Sequence, residues 1–179
     1  MGNICSNDRK ADENIDNLII NQPSSHINYN GLKVLRLIHH NNTKIYLLEN
    51  CIIKKQFILP KDTEQFLNEV ESYRVLSNLP FILKPLHIDM KNGIIYLPYI
   101  DSHPIKNTRN KNIVETFLSI IKKQYGIWRE SDYIWSNLLQ NSKTEQIYLI
   151  DFGNIPWFSS VPNSKWHINN EKYPRLNLK

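Results

Sequence analysis

Three short runs of β-branched and other apolar residues follow one another from residue 32, and polar turn residues separate them. The runs cover residues 32–38, 44–48 and 51–59, with turns at 39–42 and at Glu49-Asn50. Turns this short join neighbouring antiparallel strands, because parallel strands need a crossover of a dozen or more residues. The sequence therefore predicts an antiparallel meander as the first part of the fold.

An amphipathic helix is predicted directly after Pro60, with Asp62 or Thr63 as its cap. Apolar residues at spacings of four and three mark its buried face, namely Phe66, Val70, Tyr73 and Leu76. Two further strands are expected at 81–88 and 94–100, joined by a glycine-containing turn at 91–93. These elements complete a five-stranded antiparallel sheet with one helix.

The remainder of the chain has weaker periodicity. A loop is expected at 101–111, a second amphipathic helix from Ile113 to before Gly126, and another loop at 127–136. Two short strands at 138–139 and 147–150 form a hairpin, and the aromatic tail with Trp157, Phe158 and Trp166 is expected to pack back onto the body. The overall class is α+β, with a mainly helical second part.

Composition excludes several classes of protein. With 179 residues and 41% hydrophobic residues, the chain can bury one core. The net charge of +5 comes from dispersed lysines and arginines, so no specific nucleic-acid binding is expected. No apolar run approaches the roughly 18 residues of a membrane span, and no secretory leader is evident. Two cysteines are too few for a disulfide framework, which favours a reducing, cytoplasmic location.

Five polar residues lie at the ends of predicted elements, namely Lys54, Glu69, Asp132, Asn137 and Asp151. Each has an ordinary interpretation when it is taken alone. A strand lysine usually extends to water, a helix glutamate usually lies on a solvated face, and Asp-Phe-Gly after a strand can be a simple turn.

Taken together, the segments around these residues resemble the protein kinase-like superfamily. Cys51-Ile52-Ile53-Lys54 is similar to the third-strand V-A-I-K segment. Asp132 and Asn137 have the D-x-x-x-x-N spacing of its catalytic loop, and residues 147–153 resemble the strand that runs into D-F-G. The resemblance covers about residues 32–153. It implies a kinase-like fold with a five-stranded N-lobe at 31–100 and a truncated helical C-lobe at 101–179.

The resemblance also implies a role for each residue in binding Mg²⁺ and ATP. Lys54 would hold the α- and β-phosphates, with its ammonium paired to Glu69. Asp151 would bind one Mg²⁺ and Asn137 a second, because hard oxygen ligands suit this ion. Asp132 would accept the proton of the attacking hydroxyl. The adenine would lie against the backbone carbonyl of Pro98 and the N–H of Ile100.

Three departures from the family pattern bear on activity. The turn at 39–43 contains no glycine, whereas the phosphate-covering loop of the family is glycine-rich. Glu130-Ser131 replaces the His-Arg pair before the catalytic aspartate. The 26 residues after Gly153 (154–179) are too few for the family's peptide-binding platform.

The N-terminus carries a separate signal. Met1-Gly2-Asn3-Ile4-Cys5-Ser6 matches the pattern for N-myristoylation of Gly2, and Cys5 is close enough for palmitoylation. Residues 1–30 are polar and are expected to form a flexible arm, so two acyl chains would hold the domain at a membrane. A chance match in the arm is the alternative.

Two functions remain open from the sequence. The first is an ATP-dependent phosphotransferase that transfers the γ-phosphate to a hydroxyl of a protein serine or threonine, or of a small molecule. The second is a catalytically weak or inactive pseudokinase that acts as a membrane-tethered binding module through a partner. A small α+β protein in which the matching residues are only structural is a third interpretation.

Overall fold

The computed structural model describes residues 28–40, 43–103, 108–129, 137–158, 166–169 and 171–172. These residues form two α-helices and ten β-strands. In chain order the elements are β1 (Val34–His40), β2 (Thr43–Leu48), β3 (Ile52–Phe57), α1 (Thr63–Leu76), β4 (His87–Asp89), β5 (Ile94–Pro98), β6 (Ser102–His103), α2 (Thr108–Tyr125), β7 (Ile127–Arg129), β8 (Leu138–Asn141), β9 (Ile147–Leu149) and β10 (Trp166–Ile168).

The first five strands form one antiparallel sheet in the order β1-β2-β3-β5-β4. The predicted α+β class and five-stranded sheet are therefore confirmed. The fourth strand is shorter than predicted, because Phe81 and Ile82 pair with β9 instead. Ile82 forms a parallel bridge with Leu149, and the N–H of Leu149 donates to the carbonyl of Phe81 over 2.8 Å.

The turn between β2 and β3 is one residue longer than predicted. Leu48 pairs with Ile52, so the connection comprises Glu49, Asn50 and Cys51, and the last two have φ angles of 59° and 56°. A residue in this left-handed conformation is common in three-residue hairpin loops. Cys51 is half-buried in this turn, so it is not the buried thiol on a strand that its sequence context suggests.

The second part of the chain contains more strand than predicted. In addition to α2, its described residues form a three-stranded sheet in the order β6-β8-β9 and a pair between β10 and β7. The expectation of a mainly helical second part is wrong for these residues. The β8–β9 hairpin was predicted, but β6, β7 and β10 were missed, because each has two or three residues and its partner is far away in the sequence.

One large core joins both parts of the chain. It contains Phe57, Phe66 and Leu76 from the sheet and α1, together with Phe152, Ile155, Trp157 and Trp166 from the later segments. The predicted packing of the aromatic tail is confirmed for Trp157 and Trp166, whose exposures are 2% and 3%. Helix α1 thus lies between the first sheet and the residues that follow β9.

A smaller apolar cluster covers the opposite face of the first sheet. Its buried members are Leu48, Ile52, Ile94 and Tyr96. Tyr29 packs against this cluster, its ring stacking on His87 with 5.1 Å between centroids, and the hydroxyl of Tyr96 donates to Asn30 over 3.1 Å. Tyr29 and Asn30 therefore contact the sheet, although the sequence places them in the arm. No helix among the described ranges is long and apolar enough to span a membrane.

Candidate functional site

A buried lysine and two carboxylates from three separate elements form the strongest polar cluster of the described chain. The Nζ of Lys55 on β3 lies 2.6 Å from Oε2 of Glu69 on α1 and 2.9 Å from Oδ1 of Asp151, which follows β9. Lys55 is 7% exposed and Glu69 is fully buried. The cluster therefore connects the first sheet, its helix and the later hairpin at one point.

The lysine in this cluster is Lys55, and the predicted ion pair between Lys54 and Glu69 is wrong. A two-residue turn at Glu49-Asn50 would pair Leu48 with Cys51 and place Lys54 opposite Ile45. The structure instead pairs Lys54 with Tyr46, one register step away. A one-residue change of register moves every side chain of a strand to the other face, so the longer turn exchanges the two lysines.

Lys54 lies on the face of the sheet that is directed away from α1. Its partners across the strands are Tyr46 and Tyr96, and its Nζ lies 5.8 Å from the centre of the Tyr46 ring. On the other face Lys55 alternates with Ile53 and Phe57, both of which pack into the large core. Lys54 therefore provides a neighbouring lysine of the same strand that lies outside the candidate site.

Glu69 is positioned by the helical spacing of α1. Residues three and four apart share a face of a helix, so Glu69 projects beside Tyr73. The hydroxyl of Tyr73 donates to Oε1 of Glu69 over 3.4 Å, and its ring packs edge-on against Phe152. Burial raises the pKa of the Glu69 carboxyl, and the nearby Lys55 ammonium partly opposes this rise.

The charge of Lys55 depends on its two partners. Burial by itself lowers the pKa of its ammonium, but attraction to Glu69 and then to Asp151 outweighs burial, so the pKa is raised. Burial also raises the pKa of Tyr73 well above its usual value, which keeps its hydroxyl protonated as a donor to Glu69. The site therefore retains one buried cation between two carboxylates.

Asp151 has a backbone conformation that residues other than glycine rarely adopt. Its φ angle is 66°, in the left-handed region that non-glycine residues adopt at a cost of order 1–3 kcal/mol. Its side chain is 38% exposed, whereas the Lys55 side chain is 9% exposed. One carboxylate of the cluster is thus accessible to a ligand from solvent.

Asn137 lies at the same end of the β8–β9 hairpin as Asp151. Leu138 pairs with Leu149, and the N–H of Ile150 donates to the carbonyl of Asn137 over 2.9 Å. The structure therefore brings these two predicted metal ligands to one hairpin end. Asp132 lies outside the described residues, as do Gly2 and Cys5.

The predicted adenine-binding backbone lies at the end of β5. Pro98 is opposite Ile52, and the N–H of Tyr99 donates to the carbonyl of Cys51 over 2.9 Å. Since Lys55 pairs with Ile95 on the same strand, Pro98 lies about 10 Å further along the sheet. The half-buried Ile100 follows, and its N–H donates to no backbone carbonyl among the described residues.

No protein-family model and no curated protein matches this chain. The chemistry of the site is therefore inferred from its own geometry. A buried ammonium beside an accessible carboxylate can bind an anion that carries a divalent cation, such as a metal-bound phosphate. No group of three or more His, Cys, Asp or Glu residues able to hold a metal ion occurs in the described part of the chain.

Sequence reasoning missed Lys55, although its strand carried a signal for it. Residues 51, 53, 57 and 59 are all apolar and alternate with Lys55, whereas the other face mixes Ile52 and Ile58 with Lys54 and Gln56. A lysine on an otherwise apolar face is the better candidate for burial, and a buried lysine needs a carboxylate partner. This argument favours Lys55 over Lys54 without knowledge of the turn.

Proposed function

We propose that the protein is a Mg²⁺- and ATP-dependent phosphotransferase of kinase-like architecture that uses Lys55, Glu69 and Asp151. The observation that carries the proposal is the buried Lys55 ammonium between a helix glutamate and an accessible aspartate at a strand end. Phosphoryl transfer requires positioning and neutralisation of a triphosphate, and these groups supply both. The order of the five strands and the place of α1 after β3 also support it.

Lys55 would bind the phosphates in the place first assigned to Lys54. An ammonium has three N–H donors, and Glu69 and Asp151 accept two of them. The third donor of Lys55 is available to a phosphate oxygen that approaches from the exposed side of Asp151. Glu69 and Tyr73 would fix the position of the ammonium during binding.

The oxygen ligands at the hairpin end fit a Mg²⁺ ion. Mg²⁺ in nucleotide sites is commonly held by one or two carboxylates together with the phosphates of the substrate. Asp151 would supply the carboxylate and Asn137 a side-chain oxygen, which is consistent with their common hairpin end. Bound Mg²⁺ would neutralise charge on the β- and γ-phosphates.

The base of the nucleotide would lie against the backbone after β5. The carbonyl of Pro98 would accept a hydrogen bond from the adenine, and the N–H of Ile100 would donate one. The separation of about 10 Å between Pro98 and the Lys55 position suits a nucleotide that extends from its base to its phosphates. Asp132 would then orient a hydroxyl acceptor and take its proton.

A binding module without turnover is the second candidate. It is favoured by the turn between β1 and β2, in which residues 39–43 include no glycine. Backbone amides of larger residues approach phosphates less closely, which would weaken binding or transfer. In this alternative, Gly2 and Cys5 would carry acyl chains that hold the module at a membrane.

The two candidates differ in turnover. Purified protein is incubated with Mg·ATP, and ADP release and phosphate incorporation are followed with the protein itself and with a panel of alcohols as acceptors. The phosphotransferase proposal expects turnover in the wild type and at least a ~10²-fold loss in Asp132→Asn. An Asp89→Asn variant is the matched control, because the Asp89 carboxylate accepts a hydrogen bond from Asn92 in the turn between β4 and β5 and is not part of the candidate site. Binding of Mg·ATP without turnover would favour the binding module.

A further inference from the structure

The segment that follows Asp151 is fastened to α1 by buried hydrogen bonds. The backbone N–H groups of Trp157 and Phe158 both donate to Oδ1 of Asn68, over 3.0 and 3.2 Å. The indole Nε1 of Trp157 donates to Oγ of Ser72 over 2.7 Å. Asn68 and Ser72 are fully buried, so these bonds form where water does not compete for the donors.

The same segment is also packed closely against α1. A Cβ atom on Gly153 would lie 2.6 Å from Cγ of Gln65 and 3.2 Å from its carbonyl oxygen, so only glycine fits there without a shift. Phe152 contacts the ring of Tyr73 with an interplanar angle of 88°. The contacts therefore run along α1 from residue 65 to residue 73.

Glu69 lies in the middle of this contact strip. Gln65, Asn68, Ser72 and Tyr73 recur at helical spacings of three and four, and they surround the position of Glu69. The hydrogen bonds of Trp157 to Asn68 and Ser72 hold α1 against this segment. Asp151, directly before the segment, is bonded to Lys55 on β3, so α1 and β3 are both tied to the same stretch of chain. The position of Glu69 relative to Lys55 is therefore coupled to the segment after Asp151.

We infer that residues 152–158 form a fixed clamp on α1, with Trp157 as a positioning residue that holds Glu69 against Lys55. The pair is then assembled in the protein without a bound ligand and without a modification of the segment. The inference rests on the proposed function only for the role of the ion pair in nucleotide binding. The clamp itself can be tested without nucleotide.

The test is the NMR signal of the Lys55 ammonium in the full chain without nucleotide. A buried, ion-paired ammonium exchanges its protons slowly and gives a ¹H–¹⁵Nζ signal, which Lys55→Met assigns by its loss. Trp157→Phe keeps an aromatic ring at this position but removes the donor to Ser72. We expect proton exchange at Lys55 and at the amides of residues 68–72 to accelerate about two- to tenfold, as for the loss of one hydrogen bond.

Trp128→Phe is the matched control, because Trp128 is on β7 and stacks on His167. It is expected to leave the Lys55 signal unchanged. Ser72→Ala provides an independent break of the same bond, and the double variant with Trp157→Phe should add little to either single change. An unchanged Lys55 signal in both single variants would overturn the clamp, whatever their melting temperatures. Failure of ATP binding with the clamp effect intact would overturn only the proposed function.

Discussion

Lys55 and Asp151 are 96 residues apart in the chain, and the ammonium of one lies 2.9 Å from the carboxylate of the other. This contact closes the first sheet onto the β8–β9 hairpin. Glu69 on α1 also accepts a hydrogen bond from the Lys55 ammonium, so three separate elements meet at this lysine. The stability of the fold and the chemistry of the candidate site therefore depend on the same buried lysine.

Replacing Lys55 should destabilise the protein in a pH-dependent way. Lys55→Met leaves Glu69 buried without its nearest cation, which costs about 3 kcal/mol in comparable pairs at neutral pH. The pKa of Glu69, already raised by burial, then rises further, since Lys55 no longer lowers it. Between the unfolded and folded pKa values the folded state binds more protons, so stability falls as pH rises.

The measurement is urea unfolding of the wild type, Lys55→Met and Lys54→Met at about pH 5 and about pH 8. The deficit of Lys55→Met relative to the wild type should be larger at the higher pH. Lys54→Met should show no such dependence, because Lys54 contacts the Tyr46 ring on the other face. The same pH-dependent deficit in both variants would contradict the assignment of Glu69 to Lys55.

Gly153 should not tolerate a methyl group. Gly153→Ala places a carbon in contact with Gln65 on α1, and overpacking of this kind costs about 1–3 kcal/mol. Removing the side chain of the neighbour in a Gly153→Ala, Gln65→Ala double variant should recover part of this loss. Gly31→Ala is the control, because only an Asn28 side chain lies near that position. Equal losses in unfolding free energy at Gly153 and Gly31 would contradict the close packing.

The general arrangement of this fold could be predicted because short polar turns leave few ways to pair the strands. The meander and the sheet of five follow from the positions of these turns. The identity of the site lysine could not be predicted from the turn, since Asn50 and Cys51 both adopt left-handed conformations and lengthen it by one residue. A change this local reverses the two faces of β3.

Other parts of the site depend on tertiary contacts that sequence patterns do not carry. In the sequence, Asn68 and Ser72 are ordinary polar residues of an amphipathic helix. They are buried because Trp157 packs against them and donates hydrogen bonds to both. Strands β7 and β10 pair across more than 30 residues without alternating patterns of their own. Long-range pairing of such short segments is decided by the whole fold rather than by local propensity.

Asp151 should account for the Mg²⁺ dependence of nucleotide binding. Asp151→Asn replaces an accessible carboxylate by a neutral amide, which is a poorer ligand for a hard divalent cation. We expect Mg·ATP to bind at least about tenfold more weakly by titration calorimetry, with a smaller change for ATP without Mg²⁺. Asp89→Asn should leave both affinities unchanged. Equal weakening with and without Mg²⁺ would contradict a metal-binding role.

The N-terminal sequence predicts membrane association in eukaryotic cells. Gly2→Ala removes the site of myristoylation, and stable anchoring needs two acyl chains. This variant should therefore move to the soluble fraction. Cys5→Ser should leave weak, reversible binding through the remaining chain. Mass spectrometry of the N-terminal peptide, with and without reductant, reports acylation of Gly2 and Cys5 directly. An unmodified peptide from a wild-type protein found only in the soluble fraction would contradict the prediction.

Thermal unfolding with and without Mg·ATP tests the candidate site most directly, when the wild type is compared with Lys55→Met and Lys54→Met. At about 100 times the dissociation constant, a ligand stabilises the folded state by about 2.7 kcal/mol. For a chain of this size that corresponds to a rise in Tm of about 5–10 °C. We predict this rise in the wild type and in Lys54→Met, and its loss in Lys55→Met. A rise that persists in Lys55→Met, or one that disappears in Lys54→Met alone, would contradict the assignment of the nucleotide site to Lys55.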